Sequence, residues 1–208
     1  PVHWQEWNSL SINQAKEHNK PILLSIGYAA CHWCHVMAHE SFEDTDTAAL
    51  MNQHFINIKV DREERPDLDH IYQTALSLLG EQGGWPLTMF LTPECQPFWG
   101  GTYFPKTDHY GRPAFKTVLS RISEVYQSNN PSVFNNAHAL TDRIQSLQHL
   151  PTQDALSTLK LTDIADKFYR GIDLDTGGFG SAPKFPQTQA LIFLWQRGCI
   201  EELSLIHI

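Results

Sequence analysis

Long apolar runs are missing from this 208-residue sequence, and so are clustered basic residues and any dense set of cysteines. No stretch approaches the ~20 apolar residues that a membrane-spanning helix needs, so the chain is expected to be soluble with no membrane partner. Lys and Arg number 15 against 23 Asp and Glu, a formal charge of -8. Binding along a phosphate backbone requires the opposite balance, which excludes nucleic acid as an expected partner. Four cysteines are too few for a disulfide framework at this length, and two of them form a C-x-x-C pair, which points to redox or metal chemistry rather than stapling. The chain opens at Pro1 with neither Met nor an apolar leader. A targeting segment upstream therefore stays open, and the cytoplasm is the compartment expected.

What is present is globular in composition, 41% hydrophobic and 18% charged, and long enough for one ordinary domain plus part of a second. Residues 13–19 read as the end of a short helix. Pro21-Ile-Leu-Leu-Ser-Ile-Gly27 is an apolar, β-prone run of the kind found in a buried central strand. From Cys34 to Phe55 the pattern turns helical, with Met37, Phe42, Leu50, Met51 and Phe55 as core candidates, and Asp44 or Thr45 placed to cap a second helix within it. Residues 55–60 alternate like a strand, and Arg65-Pro66-Asp67 opens a helix to about Leu79. After the break at Gly83-Gly-Trp-Pro86 come a strand at 87–91, a turn at Thr92-Pro93-Glu94, a return strand at 97–103 and a helix at 113–126. That helix places Phe115, Val118, Leu119, Ile122 and Val125 on one face. Parallel strands joined by helices and finished by an antiparallel hairpin make an α/β fold of the thioredoxin-like kind. Ser128-Asn-Asn-Pro131 reads as a linker, and 133–150 and 161–169 have helical spacing with no strand signal. The expected layout is a thioredoxin-like domain over 1–127, then a linker and the truncated start of an all-α domain over 128–202. Residues 203–208 match what in-frame translation of a transposase adapter would give, so the native sequence is expected to stop before Leu203.

The chemistry concentrates at Cys31-His-Trp-Cys34. A first cysteine between a buried strand and a helix sits where unpaired N–H groups favour an anion, which lowers a thiol pKa. Cys31 is therefore the expected nucleophile and Cys34, the more enclosed, the resolving thiol. His32, when protonated, would further stabilise the thiolate. Pro86 stands where the thioredoxin arrangement places a cis proline facing the cysteines; the alternative is a plain strand-opening proline. Three other readings of the pair stay open. Cys31 to His35 also spells C-x-x-C-H, the attachment motif of c-type haem. Cys31, Cys34, His35 and His39 are all of zinc-ligand type, the two histidines four apart on one helical face. The thiols are otherwise two inert, partly buried core residues. His3, His18, His54, His70 and His109 are scattered, and none is assigned chemistry; Cys95, in a hairpin turn, and Cys199 are expected to be free thiols. The run Asp61-Arg-Glu-Glu-Arg65 reads as a solvated loop or as the edge of a site.

Longer strings then narrow the field. Lys20-Pro-Ile-Leu-Leu-Ser-Ile-Gly-Tyr28, Cys31-His-Trp-Cys-His-Val-Met37, Glu40-Ser-Phe-Glu43, Val60-Asp-Arg-Glu-Glu-Arg-Pro-Asp67, Gly83-Gly-Trp-Pro86, Phe90-Leu-Thr-Pro93 and Gly100-Gly-Thr-Tyr-Phe-Pro105 occur in fixed order. Over 1–126 the chain resembles the spermatogenesis-associated protein 20 family of thioredoxin-domain proteins. Gly177-Gly-Phe-Gly-Ser-Ala-Pro-Lys-Phe-Pro186 extends the likeness into a region that the resemblance implies is the start of a large α/α toroid similar to six-hairpin glycosidases and sugar epimerases. The resemblance carries the Asp61 to Asp67 string as a site edge without assigning it a reaction. Compared with ordinary thioredoxins, Ser25 occupies the strand position where a buried carboxylate assists proton transfer from the resolving cysteine. Two functions follow as expectations. One is a thiol–disulfide oxidoreductase using Cys31 and Cys34 on a protein or small-molecule disulfide or thiol, with no cofactor. The other is a binding or regulatory module, metal-binding or redox-sensing, attached to the helical toroid.

Overall fold

The structure, a computed structural model, describes residues 1–109, 111–148, 161–180, 184 and 186–200. The chain divides into two compact units, Pro1–Leu150 and Pro151–Ile208. Residues 203–208, and with them the expected adapter tail, lie outside the described residues, as does the side chain of Cys199.

The first unit begins with α1 (Ser9–His18), capped by Asn8, whose side chain accepts the N–H groups of Leu10 and Ser11. An Asn at this position satisfies donors that the first helical turn leaves open. There follow β1 (Ile22–Gly27), α2 (His32–Met37), a π-helical turn at Ala38–Phe42, α3 (Thr45–His54), β2 (Ile56–Asp61), α4 (Pro66–Leu78), β3 (Leu87–Leu91), β4 (Pro97–Gly101), α5 (Phe115–Gln127) and α6 (Pro131–Gln148). Asp44 caps α3, its carboxylate taking the Thr47 N–H at 2.9 Å. That bond, the Thr47 hydroxyl, and the ammonium groups of Lys116 and Lys106 together hold the Asp44 carboxyl well below the usual carboxylate range. Pro66 opens α4 at the first helical position, where a missing N–H costs nothing.

The sheet runs β2-β1-β3-β4. β1 pairs in parallel with β2, Ile22 opposite Ile56 and Gly27 opposite Asp61, and antiparallel with β3, Ile26 opposite Leu87. β3 and β4 close the sheet as a hairpin whose register shifts between Phe90 and Leu91. This is the thioredoxin-like arrangement that the order of elements predicts. On one face Leu23, Phe90 and Phe98 pack with Met37 of α2, Phe42 of the π-helical turn, Met51 of α3 with Phe55 at its C-cap, and Phe115, Val118 and Leu119 of α5. On the other, Ile22, Leu24, Ile26, Ile58, Leu87 and Met89 pack with Ala15 of α1 and Leu68, Tyr72, Ala75 and Leu76 of α4. β1 is buried along its whole length, which is why its sequence shows no alternation.

Two expectations shift. α6 packs against β4 and α4 within the first unit rather than opening a second domain after residue 127. Val133, Ala137, Leu140 and Ile144 recur at helical spacing and are all buried, joining both core layers. The segment 128–131 is accordingly a tight helix-to-helix turn, with Asn129 at φ 50° and Pro131 starting α6. On α5, Val125 is 38% exposed and Tyr126 takes the inward place instead, because the inward stripe drifts along the helix axis at 3.6 residues per turn.

The second unit has α7 (Leu161–Arg170) and α8 (Thr188–Ile200), joined through Phe168, whose ring meets Phe179 and Phe193 edge-on. Asp173 accepts the N–H groups of Asp175 and Thr176 and pairs with Lys184, holding the turn between them. No helix among the described residues is long and apolar enough to cross a membrane.

Candidate functional site

β1 ends at Gly27, and the chain turns through Tyr28 to Ala30 into Cys31, whose N–H donates to the Tyr28 carbonyl at 3.1 Å. Cys31 is the N-cap of α2, its Sγ accepting the Cys34 N–H at 3.2 Å. Cys31 and Cys34 are joined as a disulfide with their Cα atoms 5.3 Å apart. The expected difference in enclosure is reversed. Cys31 is 4% exposed while Cys34 is half-buried, because the capping geometry turns Cys31 inward over the first turn of α2. Gly27 lies under the pair, and a Cβ there would fall 2.9 Å from Cys34 Sγ, so only glycine leaves room for the disulfide at this strand end.

Of the other residues singled out, His32 is exposed on the first turn of α2, its ring edge-on to Trp33 at 5.7 Å. Pro86 is buried, follows a cis Trp85–Pro86 bond, and precedes β3 at the level where Leu87 faces Ile26, so it stands at the cysteine end of the sheet. The four candidate zinc ligands do not assemble. The two sulfurs bond each other, His35 Nε2 meets the Ala29 carbonyl at 2.8 Å, and His39 Nδ1 meets Glu43 at 3.0 Å. Among the described residues no group of three His, Cys, Asp or Glu is placed to hold a metal ion. Cys95 sits in the β3–β4 turn as a free thiol, and burial pushes its pKa up to about 11, leaving it a poor nucleophile.

Beside the disulfide lies a groove of about 320 Å³ lined by Trp33, Gly83, Gly84, Trp85, Thr102 and Tyr103 among others. Trp33 is 52% exposed and tilts onto Tyr103, ring centroids 4.9 Å apart. The Tyr103 hydroxyl donates to Glu40 at 2.5 Å, tying β4's exit to the π-helical turn. Arg112 donates to the Thr102 hydroxyl and the Tyr103 carbonyl and braces that wall.

The opposite wall is held by Arg62, from the string that the sequence offered as a site edge, and by residues of α4 to which sequence reading gave no role. Arg62 lies over the Trp85 ring at 4.1 Å and near the Tyr28 ring at 5.6 Å. Its Nε donates to Asp69 at 3.2 Å, and the Trp85 indole N–H donates to the other carboxylate oxygen of Asp69 at 2.8 Å. One turn along α4, Gln73 donates to the Gly84 carbonyl and accepts the Gly84 N–H. Asp69 and Gln73, four apart on one helical face, thus anchor the loop that carries Pro86. The charged string after β2 is in this respect a site edge: Arg62 belongs to the cage, while Arg65 and Asp67 form an exposed pair. Nothing in the sequence separates Asp69 and Gln73 from Asp67, His70, Thr74 and Ser77, the other polar residues of α4.

A further lysine reaches the cysteines from β2. Lys59 stands opposite Ser25 in the parallel ladder, and its Nζ donates to the Ser25 hydroxyl at 3.2 Å. Although Lys59 is exposed as a whole residue, protein packed around the amine lowers its pKa to about 8, with Asp61 acting in the opposite sense.

A thioredoxin-like domain with a C-x-x-C disulfide at the end of its central strand is the class that this fold and site define. Comparison with known proteins agrees. The family model Thioredox_DsbH, described as "Protein of unknown function, DUF255", matches residues 1–145, and the chain belongs to that family. It is 39% identical over 199 residues to human spermatogenesis-associated protein 20, covering 94% of this chain and 25% of that protein. It is also 39% identical over 198 residues to an uncharacterized protein of Caenorhabditis elegans, covering 93% and 26%. The chain therefore spans about a quarter of the length of these curated relatives. Among solved structures it is similar to one titled "DsbH Oxidoreductase", at 16% identity and a TM-score of 0.44, covering 61% of this chain and 85% of that one. The family and the close cysteine pair fit a module of the thiol–disulfide oxidoreductase kind.

Proposed function

We propose that this domain is a thiol–disulfide oxidoreductase in which Cys31 is the attacking thiolate and Cys34 the resolving thiol, acting on a disulfide or dithiol of a protein or small molecule. The observation that carries the reading is the Cys31–Cys34 disulfide at a strand-to-helix junction, bordered by an open aromatic groove. In the reductive direction, Cys31 thiolate attacks a substrate disulfide, one substrate sulfur leaves as thiolate, and a mixed disulfide forms. Cys34 then attacks Cys31 Sγ, the second substrate thiolate leaves, and the protein holds the disulfide seen here; two electrons have passed from the protein dithiol to the substrate. Trp33, Trp85 and the peptide groups of Gly83 and Gly84 border the space in which a substrate chain would lie, and His32 stands at the helix start to favour the thiolate. Cys31 is 4% exposed and Trp33, between the two cysteines in sequence, lines the groove, so this reading brings substrate in along the groove. The test is equilibration of the pair with glutathione buffers and turnover of a model disulfide. Wild type should cycle, Cys31→Ser should be inert, and Cys34→Ser should accumulate a mixed disulfide. A Cys31→Ser variant that still turns over would overturn the assignment.

A second reading is favoured by one observation: the buried residue next to Gly27 on the inward face of the central strand is Ser25, which carries no charge to drive fast exchange. On that reading the pair is a redox sensor attached to the helical remainder of the protein, and we propose residues 151–202 as the start of a helical toroid of the six-hairpin glycosidase-like kind. A pair that oxidises reversibly yet turns over no model disulfide would select it.

A further inference from the structure

Resolution of a mixed disulfide requires Cys34 to lose its proton, and the attack is slow unless something close by receives it. Two strands supply groups close to Cys34 Sγ. Beneath it lies Gly27, which has no side chain, and the next inward-facing residue on β1 is Ser25, fully buried and neutral. The neighbouring strand supplies Lys59, which stands opposite Ser25 in register, two residues from the Gly27–Asp61 end of the ladder. The position of a Cβ on Gly27 is 2.9 Å from Cys34 Sγ and 3.4 Å from Lys59 Nζ. Sulfur and amine therefore flank the same small space, from α2 on one side and β2 on the other. The Lys59 amine is aimed there by its bond to the Ser25 hydroxyl.

We propose that Lys59 is the proton acceptor for Cys34 and that Ser25 is the residue positioning it. The inference rests on the oxidoreductase reading. As Cys34 attacks, its S–H proton passes to the neutral Lys59 amine, directly or through one water. The Cys34 sulfur bonds Cys31 Sγ, the bond between Cys31 and the substrate sulfur breaks, and the electron pair leaves with the substrate thiolate. The Lys59 ammonium then returns its proton to water, so one proton and one disulfide exchange balance without any further reactant.

A lysine suits this task only if some of it is neutral near pH 7. With its pKa lowered to about 8, about a tenth of the amine is free at neutral pH, against well under a hundredth for an ordinary lysine. The groups facing it are the Ser25 hydroxyl on β1, the Cys34 thiol on α2 and the Asp61 carboxylate two residues along β2, the last favouring the ammonium.

The reaction of the reduced protein with the aromatic disulfide DTNB separates the two steps, because attack by Cys31 and resolution by Cys34 each release one coloured thiolate. In wild type the second release should quicken as pH rises through about 8. Lys59→Gln should leave the first release unchanged, slow the second about tenfold or more, and flatten its pH profile. Lys59→Arg keeps the cation but accepts no proton, and should be as slow as Lys59→Gln. Unchanged second-step kinetics in Lys59→Gln, or full rescue by Lys59→Arg, would overturn the proposal while leaving the oxidoreductase reading intact. A wild type that releases a single equivalent would overturn both. An independent measurement avoids turnover altogether: in a Cys31→Ser background, Lys59→Gln should raise the Cys34 thiol pKa, and identical titration curves would count against any coupling between the two groups.

Discussion

Asp69 offers the sharpest test of how the groove is built. It is 6% exposed and accepts two bonds, from Arg62 Nε at 3.2 Å and from the Trp85 indole at 2.8 Å. Replacing it with Ala leaves an indole N–H without its acceptor and a guanidinium without its counter-charge. A hydrogen bond to a charged partner contributes about 1.5–3 kcal/mol. The Arg62 side chain is 37% exposed, so water recovers much of its lost pairing, and that share falls to about 1 kcal/mol or less. The indole, packed between Arg62 and Tyr28, has less access to water and loses about 1.5 kcal/mol. The cation–π contact at 4.1 Å is present in both forms and leaves the difference unchanged. Asp69→Ala should therefore destabilise the unit by about 2 kcal/mol, and Asp69→Asn, which keeps a carbonyl oxygen for the indole, by about half that. Urea unfolding followed by near-ultraviolet circular dichroism reads the difference as a shift in midpoint at constant slope. A loss below about 0.5 kcal/mol for Asp69→Ala, or equal losses for the two variants, would refute this account of the cage.

Other perturbations test separate parts of the structure. Gly27→Ala puts a methyl against Cys34 Sγ and should cost about 1–3 kcal/mol in the oxidised form and less in the dithiol form, measured as paired unfolding curves with and without reductant. Ending the chain after residue 127 should leave an aggregating or unfolded product, whereas ending it after residue 148 should give a cooperative transition, since α6 supplies buried residues to both core layers. Ile144→Ala within the longer chain should cost about 2–4 kcal/mol. Because the folded pKa of Lys59 is depressed to about 8, the unfolded chain holds the extra proton between about 8 and the ordinary lysine value. Stability contributed by this site should accordingly rise with pH across that window. Lys59→Met should flatten the rise, and an unchanged slope in alkaline unfolding curves would show that the amine does not feel its surroundings.

The central strand and the cysteine motif were legible because their signals are local: a run of β-prone apolar residues ending in glycine, then a pair of cysteines at a helix start. The order of elements also placed Pro86 correctly at the cysteine end. α6 was misassigned because Ser128-Asn-Asn-Pro131 has the composition of a linker; whether such a string joins two domains or two packed helices depends on where the next apolar face finds its partner. Relative enclosure of Cys31 and Cys34 was misread because it follows from how the capping residue turns, which spacing does not encode. Asp69, Gln73 and Lys59 escaped notice for a related reason, and Arg62 was visible only as part of a charged string. Each is an ordinary polar residue until the sheet and α4 bring it against Trp85, Gly84 or Cys34.

The hairpin of β3 and β4 has a mechanical consequence. Gly84 to Pro86 run into β3, and Thr102 and Tyr103 run out of β4, so the two jaws beside the cysteines are the two ends of one ribbon. α4 grips that ribbon twice, through Asp69 and Gln73 at the jaw and through the Tyr72 hydroxyl on the Cys95 carbonyl at the far turn. The span between the jaws is thereby geared to a single strand register, and any slippage along the ribbon, however remote its origin, would open or close the cysteine end.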